Sequence, residues 1–124
     1  MEDIEKKVLQ QIERDHVIEI VEELIRADTA DDEAPIVPVI TGWMKKIGMD
    51  VEVYQTFDSR KPEIQRPCIL GTLPGKVEKP LLCYNGHTDI VPVKNLSKWK
   101  HPPFDPIVEG GKLYGRGASD TKGG

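Results

Sequence analysis

A short apolar segment that leads into a histidine and a carboxylate constrains this chain most. Leu81-Leu82-Cys83-Tyr84 shows no alternation of apolar and polar residues, a pattern typical of a strand buried on both faces, as in a parallel sheet covered by helices. Asn85-Gly86-His87-Thr88-Asp89 follows directly. Because ligands in open α/β sheets bind beyond the carboxyl ends of the strands, we expect His87 to lie at a site.

The remaining patterns predict an α/β fold, with helices packed on a mostly parallel mixed sheet. Helical spacing covers residues 4–28, with a break near residues 13–16, and a second helix carries Ile36 to Ile47 and stops at Gly48. Alternating or apolar runs predict strands over residues 49–57, 67–73 and 80–84, with a loop over 58–66. Gly110-Gly111 predicts a tight hairpin turn.

Composition excludes several classes of function. The 124 residues are enough for one small domain. The net charge is −4 and no basic stripe is present, which argues against nucleic acid as a partner. No apolar run reaches the 18 or so residues of a membrane span, and the acidic start lacks a signal-peptide core, so we expect a cytoplasmic protein. Without a CxxC motif, a thiolate zinc site is disfavoured. A disulfide between Cys68 and Cys83 would need neighbouring strands and is disfavoured in the cytosol, so we expect two small buried residues.

His87 and Asp89 have the spacing of a metal ligand and its supporting group. In an extended segment, residues i and i+2 point to the same side, so Asp89 can accept the second ring N–H of His87. This bond would fix the tautomer and raise the basicity of the other nitrogen. The alternative is that Asn85-Gly86 forms a hairpin turn and that His87 begins the returning strand.

Asp120 lies in a glycine-rich segment about thirty residues later. Glycines at 115, 117, 123 and 124 let the backbone pack closely around its carboxylate. The alternative is a loop in which Ser119 or Asp120 caps a helix. A dinucleotide fingerprint is disfavoured because Asp120 occupies the third glycine position, and a nucleophilic Ser119 lacks the second glycine of a nucleophile elbow. Together, His87, Asp89 and Asp120 are the parts of a metal site that activates water.

Two motifs resemble those of the co-catalytic zinc metallopeptidase family, which contains acetylornithine deacetylase, succinyl-diaminopimelate desuccinylase, aminoacylase and the glutamate carboxypeptidases. The first runs from Asn85 to Pro92. The second runs from Gly111 to Gly124, with a lead-in from Trp99 to Phe104. Both motifs occur in the order and separation that the family shows. The helices and strands before them are also similar to the start of that family's catalytic domain.

The resemblance implies a role for each matching residue. His87 and Asp120 would be metal ligands, with Asp120 bridging two zinc ions in the full-length enzyme and cobalt as an alternative metal. Asp89 would be the active-site residue that hydrogen-bonds the histidine. A cis peptide would follow Asp120. His16 and His101 match no ligand position, so we expect the first on a helix surface and the second in a solvated loop.

The resemblance also implies that residues 1–124 form the N-terminal, incomplete part of a zinc-exopeptidase-like catalytic domain, without the lid or dimerisation domain. The full-length enzyme would hydrolyse the amide bond of an N-acyl amino acid or small peptide. The general-base glutamate and the remaining ligands are expected beyond Gly124, so the chain alone is expected to be inactive. The rival interpretation is a non-catalytic fragment or degenerate paralogue that acts as a binding or structural module. A third interpretation, a serine hydrolase using Ser119, would need a partnering histidine and acid, and inhibitor labelling at Ser119 would reveal it.

Overall fold

The computed structural model describes residues 2–77, 79 and 81–124, which contain three α-helices and two small sheets. The helices are α1 (Glu2–Leu9), α2 (Arg14–Arg26) and α3 (Val37–Lys46), with single 3₁₀ turns at Ala34–Ile36 and Leu96–Lys98. The strands are β1 (Asp50–Tyr54), β2 (Cys68–Thr72), β3 (Ile107–Glu109) and β4 (Lys112–Tyr114). The chain is therefore of the mixed α and β class, as predicted.

The helix boundaries follow local sequence signals. The first helical stretch is interrupted, as predicted, but earlier than residues 13–16. α1 ends at Leu9 and α2 begins at Arg14, so Arg14 and His16 are helical. Pro38 lies in the first turn of α3, where its missing N–H has no helical partner to lose. Gly48 follows the helix with a φ of 81°, a left-handed conformation that glycine adopts without a Cβ penalty. None of the described helices has the length and apolar character needed to cross a membrane.

The core is small and is centred on α2. Ile25 and Ile36 are 0% and 1% exposed, and Val21 and Ile90 are also buried. The indole N–H of Trp43 donates to the Glu23 carboxylate at 2.7 Å, which ties α3 to α2. By contrast, the apolar residues of α1 are exposed, so this helix adds little burial to the described core.

Both described sheets are antiparallel hairpins. β1 pairs with β2 from Asp50 opposite Thr72 to Tyr54 opposite Cys68. β3 pairs with β4 across Gly110 and Gly111, whose φ values of 58° and 76° fit a type I′ turn. The predicted strands in these two regions and the tight turn are confirmed. The mostly parallel arrangement stays a prediction, because neither described sheet contains a parallel pair.

The buried central strand predicted at Leu81–Tyr84 is wrong. Leu81, Leu82 and Tyr84 are 88%, 79% and 89% exposed, and this segment has no strand assignment. A run of apolar residues becomes a central strand only when neighbouring strands satisfy its backbone and helices cover both faces. Within the described residues, the segment has neither kind of neighbour. Pro80, the first residue of the predicted strand, lies outside the described residues.

The predicted burial of the two cysteines is also wrong. Cys68 and Cys83 are free and exposed. Cys68 lies on the open face of β2, where burial alternates along the strand. The other face carries Gly71, and a Cβ built there would lie 2.8 Å from the sulfur of Met44 in α3. Only one face of the hairpin is therefore covered, and Cys68 is on the other.

Candidate metal site

The loop between α2 and α3 holds the segment His87-Thr88-Asp89 through hydrogen bonds to Thr88. The hydroxyl of Thr29 donates to the carbonyl oxygen of Thr88 at 2.6 Å. The hydroxyl of Thr88 in turn donates to the Glu33 carboxylate. Thr29 is 0% exposed and Glu33 is 8% exposed. Asn85-Gly86 forms no hairpin turn here, since residues 81–95 contain no strand, and the hairpin alternative is therefore wrong.

The second part of the site is the glycine-rich loop that carries Asp120. Gly117 has a φ of 85°, and its carbonyl accepts a hydrogen bond from the backbone N–H of Lys122 at 2.9 Å. A Cβ at Gly115 would lie 2.7 Å from Cγ2 of Ile25. The absence of side chains thus lets this loop pack directly on the core. The peptide between Asp120 and Thr121 is cis, as the resemblance implies.

The fold brings the three predicted site residues together around the His87 ring. Nε2 of His87 lies 3.0 Å from Oδ1 of Asp120. Nδ1 lies 3.1 Å from Oδ1 of Asp89 and also 3.1 Å from the Asp89 carbonyl oxygen. One ring nitrogen therefore faces the carboxylate expected as a ligand. The other faces the residue expected to orient the ring.

The electrostatics of this cluster favour a protonated imidazole when no metal is bound. The hydrogen bond with Asp120 raises the pKa of His87, and the backbone contact with Asp89 raises it further. A metal ion can bind only a deprotonated ring nitrogen. Metal binding at Nε2 would therefore compete with protonation of the ring.

The donor set fits part of a zinc site. One imidazole nitrogen and one carboxylate oxygen are ligands that zinc takes in proteins, and a protein site commonly uses three or four ligands. The contact between Nδ1 and Asp89 matches the carboxylate–histidine pairing that usually supports such a ligand. Among residues 2–77, 79 and 81–124, no group of three or more His, Cys, Asp or Glu side chains could hold a metal. The described residues thus place together the two side chains expected as ligands and the one expected to support the histidine.

The structure adds three polar residues that the sequence did not single out for the site: Thr29, Glu33 and Lys122. The Lys122 ammonium donates to the carbonyl oxygen of Ala27 at 2.6 Å, and burial lowers the pKa of Lys122 to about 8. It fastens the Asp120 loop to the end of α2. The contacts of Thr29 and Lys122 span 59 and 95 residues of sequence, so no local pattern could have indicated them.

The other two histidines lie away from the site. His16 is on the surface of α2 and packs against the Trp43 ring, with centroids 5.1 Å apart. The expectation of a solvated His101 is wrong, because its side chain is only 17% exposed. His101 packs against Tyr114, and its Nε2 lies 3.4 Å from Glu109. The hairpin β3–β4 covers this part of the chain, which a sequence pattern cannot show.

Two of the clefts on the surface of the described residues differ in whether they border the site. The larger, about 360 Å³, is apolar, lies between α2 and the hairpin β3–β4, and is not lined by His87. The smaller, about 270 Å³, borders the Asp120 loop and is lined by Trp99, Lys100, His101, Leu113, Tyr114, Gly115, Ala118 and Ser119. The smaller cleft is the more relevant to the site, because it adjoins the proposed metal ligand whereas the larger one does not.

Comparison with known proteins adds a family match to this geometry. Residues 83–124 match the peptidase family M20/M25/M40. Succinyl-diaminopimelate desuccinylase of Halorhodospira halophila is 65% identical over 46 residues, 37% of this chain and 12% of the relative. The enzyme of the same name from Nitrosospira multiformis is 59% identical over equal shares. That from Alkalilimnicola ehrlichii is 59% identical over 44 residues, 36% of this chain and 12% of the relative. The resemblance at the two motifs is confirmed, over a segment that spans about an eighth of each relative.

Proposed function

We propose, from the match of residues 83–124 to the M20/M25/M40 peptidase family, that this chain supplies part of the active site of a metal-dependent amide hydrolase. The observation that carries the proposal is the position of His87 between Asp89 and Asp120. The three relatives are named for removing a succinyl group from diaminopimelate. The substrate class we propose is therefore an N-acyl amino acid or a small peptide.

Each site residue has a distinct proposed role. His87 would hold the metal through Nε2, and Asp120 would contribute a carboxylate oxygen. Asp89 holds the ring through Nδ1, which keeps Nε2 free of its proton once the metal arrives. Zinc would polarise the substrate carbonyl and lower the pKa of a bound water. A second zinc ion bridged by Asp120 is part of the proposal, because one carboxylate between two divalent ions offsets their repulsion.

By itself this chain is proposed to be inactive. The described residues supply two metal ligands, and they place no further carboxylate against His87 that could act as a general base. Hydrolysis at a metal centre needs a base within hydrogen-bond reach of the attacking water, or a water already ionised by a complete ligand set. We therefore expect this chain to bind metal without turning over substrate.

The test is a metal titration combined with an assay. Zinc and cobalt binding would be measured by calorimetry for the parent, His87→Ala and the control His16→Ala, which alters an exposed histidine outside the site. We expect weak binding in the parent and in His16→Ala, and its loss in His87→Ala. No release of amino acid from N-succinyl or N-acetyl substrates is expected. Equal metal binding in all three proteins would contradict the site, and metal-dependent turnover above the His87→Ala background would contradict inactivity.

A second candidate is a non-catalytic module that keeps the start of the fold. The observation that favours it is the absence of any complete metal-ligand group among the described residues. The same titration separates the two proposals. A non-catalytic module would bind neither zinc nor cobalt at micromolar concentration. The His87→Ala change would then alter only the local hydrogen bonds.

A further inference from the structure

We propose that Thr29 and Glu33 are positioning residues that set the orientation of His87 and Asp89 through Thr88. The inference rests on the proposed function, because it takes His87 and Asp89 as the ligand and its supporting group. It goes beyond that proposal by giving the N-terminal half of the chain a part in the site. The cluster formed by Thr29, Glu33 and Thr88 is named the Thr88 clamp.

The clamp holds Thr88 at two points. Its main-chain carbonyl accepts from the Thr29 hydroxyl at 2.6 Å, and its side-chain hydroxyl donates to Oε2 of Glu33. The Thr88 hydroxyl contacts Glu33, whereas the side chains of His87 and Asp89 contact each other. Thr88 therefore faces the clamp while its two neighbours face the site. Fixing Thr88 on one side fixes the directions of His87 and Asp89 on the other.

Glu33 is itself held in place, as a positioning group must be. Its second carboxylate oxygen, Oε1, lies 3.5 Å from the Arg66 guanidinium, and its backbone N–H donates to the carbonyl of Gln65 at 3.4 Å. Arg66 also lies 3.9 Å from the Asp58 carboxylate. A buried carboxylate is costly unless it is paired and hydrogen-bonded. Here one oxygen meets the Thr88 hydroxyl and the other faces a cation, so both have a partner.

A packing role alone does not account for these residues. Thr29 is completely buried, yet valine has nearly the same shape and would fill the same space without a hydroxyl. Side-chain hydrogen bonds fix direction as well as distance, and in surroundings of low dielectric they do so strongly. The loop between α2 and α3 therefore sets the orientation of Thr88 in addition to contributing buried surface. Substitutions that keep shape and remove hydrogen bonds separate the two roles.

The first experiment uses the full chain loaded with cobalt. Thr29→Val keeps the shape and removes the donor, whereas Thr29→Ser keeps the donor and removes a methyl group. Glu63→Gln, at an exposed loop position, is the control for Glu33→Gln. We expect Thr29→Val to weaken cobalt binding roughly 10–100-fold, the range typical for groups that support a metal ligand. Thr29→Ser should bind cobalt within a few-fold of the parent. The cobalt absorption spectrum should change with Thr29→Val and Glu33→Gln, but not with Thr29→Ser or Glu63→Gln.

The second experiment needs no metal and so remains informative if the proposed function fails. The ¹⁵N shifts of the His87 ring report which nitrogen carries the proton in the neutral form. In the parent we expect mainly the Nδ1–H tautomer, because Nδ1 faces two acceptors, the carboxylate and the carbonyl oxygen of Asp89, whereas Nε2 faces only Oδ1 of Asp120. Thr29→Val and Glu33→Gln should mix the tautomers, while Thr29→Ser and Glu63→Gln should not.

The combined results decide between the proposals. A parent that binds no cobalt but shows tautomer mixing in Thr29→Val contradicts the proposed function and supports the clamp. If the parent and all variants bind cobalt equally well and the His87 tautomer is unchanged, the clamp proposal is overturned. If Thr29→Val does not fold, Glu33→Gln and Thr29→Ser provide the same comparison through affinity and tautomer.

Discussion

At the scale of single residues, His87 is the centre of the candidate site because both of its ring nitrogens have carboxylate partners. Nε2 faces Asp120 and Nδ1 faces Asp89, at 3.0 and 3.1 Å. These two carboxylates are not equivalent. One lies where a metal ligand is expected, and the other supports the ring from the far side. Substitutions of the two should therefore have different effects.

Asp120→Asn should reduce metal content more than Asp89→Asn. Asparagine keeps the shape of the side chain but loses the negative charge that a bridging ligand needs to offset repulsion between two divalent ions. Asp89→Asn should cost roughly 10–100-fold in affinity or activity, as is typical for groups that orient a ligand. Zinc stoichiometry and kcat/KM of both variants in a complete enzyme carrying this segment provide the measurement. Two zinc ions and near-parent activity in Asp120→Asn would show that Asp120 is not a bridge.

Gly117→Ala should destabilise the protein by roughly 1–2 kcal/mol, because a side chain at a positive φ brings its Cβ too close to the backbone. Gly117 has a φ of 85°, and its Cβ would meet Ile90 at 3.0 Å. Gly42→Ala is the matched control. Gly42 lies inside α3, and a Cβ added there would meet no atom within 4 Å, so alanine should stabilise by about 0.5–1 kcal/mol. Urea unfolding would show whether each variant lowers or raises the free energy of unfolding, and equal changes in the two would refute the steric argument.

At the scale of elements, α2 is the support on which the site loop rests. Ile25 is fully buried and lies directly under Gly115, and Lys122 fastens the same loop to the carbonyl of Ala27 just after the helix. The loop between α2 and α3 contributes the Thr88 clamp. The helix end and the loop after it therefore hold both halves of the site.

Ile25→Ala should lower the free energy of unfolding by about 2–5 kcal/mol, the usual cost of removing a large buried aliphatic side chain. The control is Ile47→Ala, since Ile47 at the end of α3 is 57% exposed and should change stability by less than about 0.5 kcal/mol. Denaturant unfolding followed by circular dichroism would measure both. Similar losses in the two variants would mean that the packing around Ile25 does not carry the fold.

The loop after β1 should contribute a pH-dependent part of stability. Backbone N–H groups of Arg60 and Lys61 donate to the Asp58 carboxylate at 2.7 and 3.2 Å, and the bond from Arg60 is the main reason that the pKa of Asp58 is lowered from 3.8. A carboxyl whose folded pKa lies below its unfolded value stabilises the fold above the unfolded pKa. That contribution is lost as the pH falls through the folded pKa.

The check on Asp58 is a series of thermal melts between neutral pH and about pH 2.5, with Asp58→Asn beside the parent. The gap between the two melting temperatures should be constant above the unfolded pKa and should narrow below it. Asparagine can still accept the two backbone hydrogen bonds, so the comparison isolates the charge. A constant gap over the whole range would contradict a lowered pKa.

At the scale of the whole molecule, the described residues leave much apolar surface uncovered. Leu81, Leu82 and Tyr84 are between 79% and 89% exposed, and the apolar residues of α1 are more than half exposed. Large exposed apolar patches mark interaction surfaces or sites of aggregation. Because Leu81–Tyr84 also precedes the site, its association with other chains would affect the site's surroundings.

The double substitution Leu81→Lys and Leu82→Lys should reduce concentration-dependent association without lowering the melting temperature. Both side chains are exposed, so charging them removes an apolar contact surface and costs no packing. Sedimentation velocity over a range of concentrations measures the association. Ile47→Lys, which charges an exposed apolar side chain elsewhere, is the control. Unchanged association in the double variant would show that this segment is not the contact.

The sequence determined the features that depend on neighbours a few residues apart. The interruption before α2, the position of Pro38 in the first turn of α3, the turn at Gly110-Gly111 and the pairing of His87 with Asp89 follow from local patterns. The contact of His87 with Asp120 spans 33 residues and depends on the fold. Tertiary structure alone decided the exposure of Leu81–Tyr84 and the recruitment of Thr29, Glu33 and Lys122. The contacts of the last three span 59, 55 and 95 residues. The hydrophobic effect is non-directional: an apolar segment is more stable when buried, but its sequence does not say which element will bury it. Burial therefore depends on which distant elements pack against the segment.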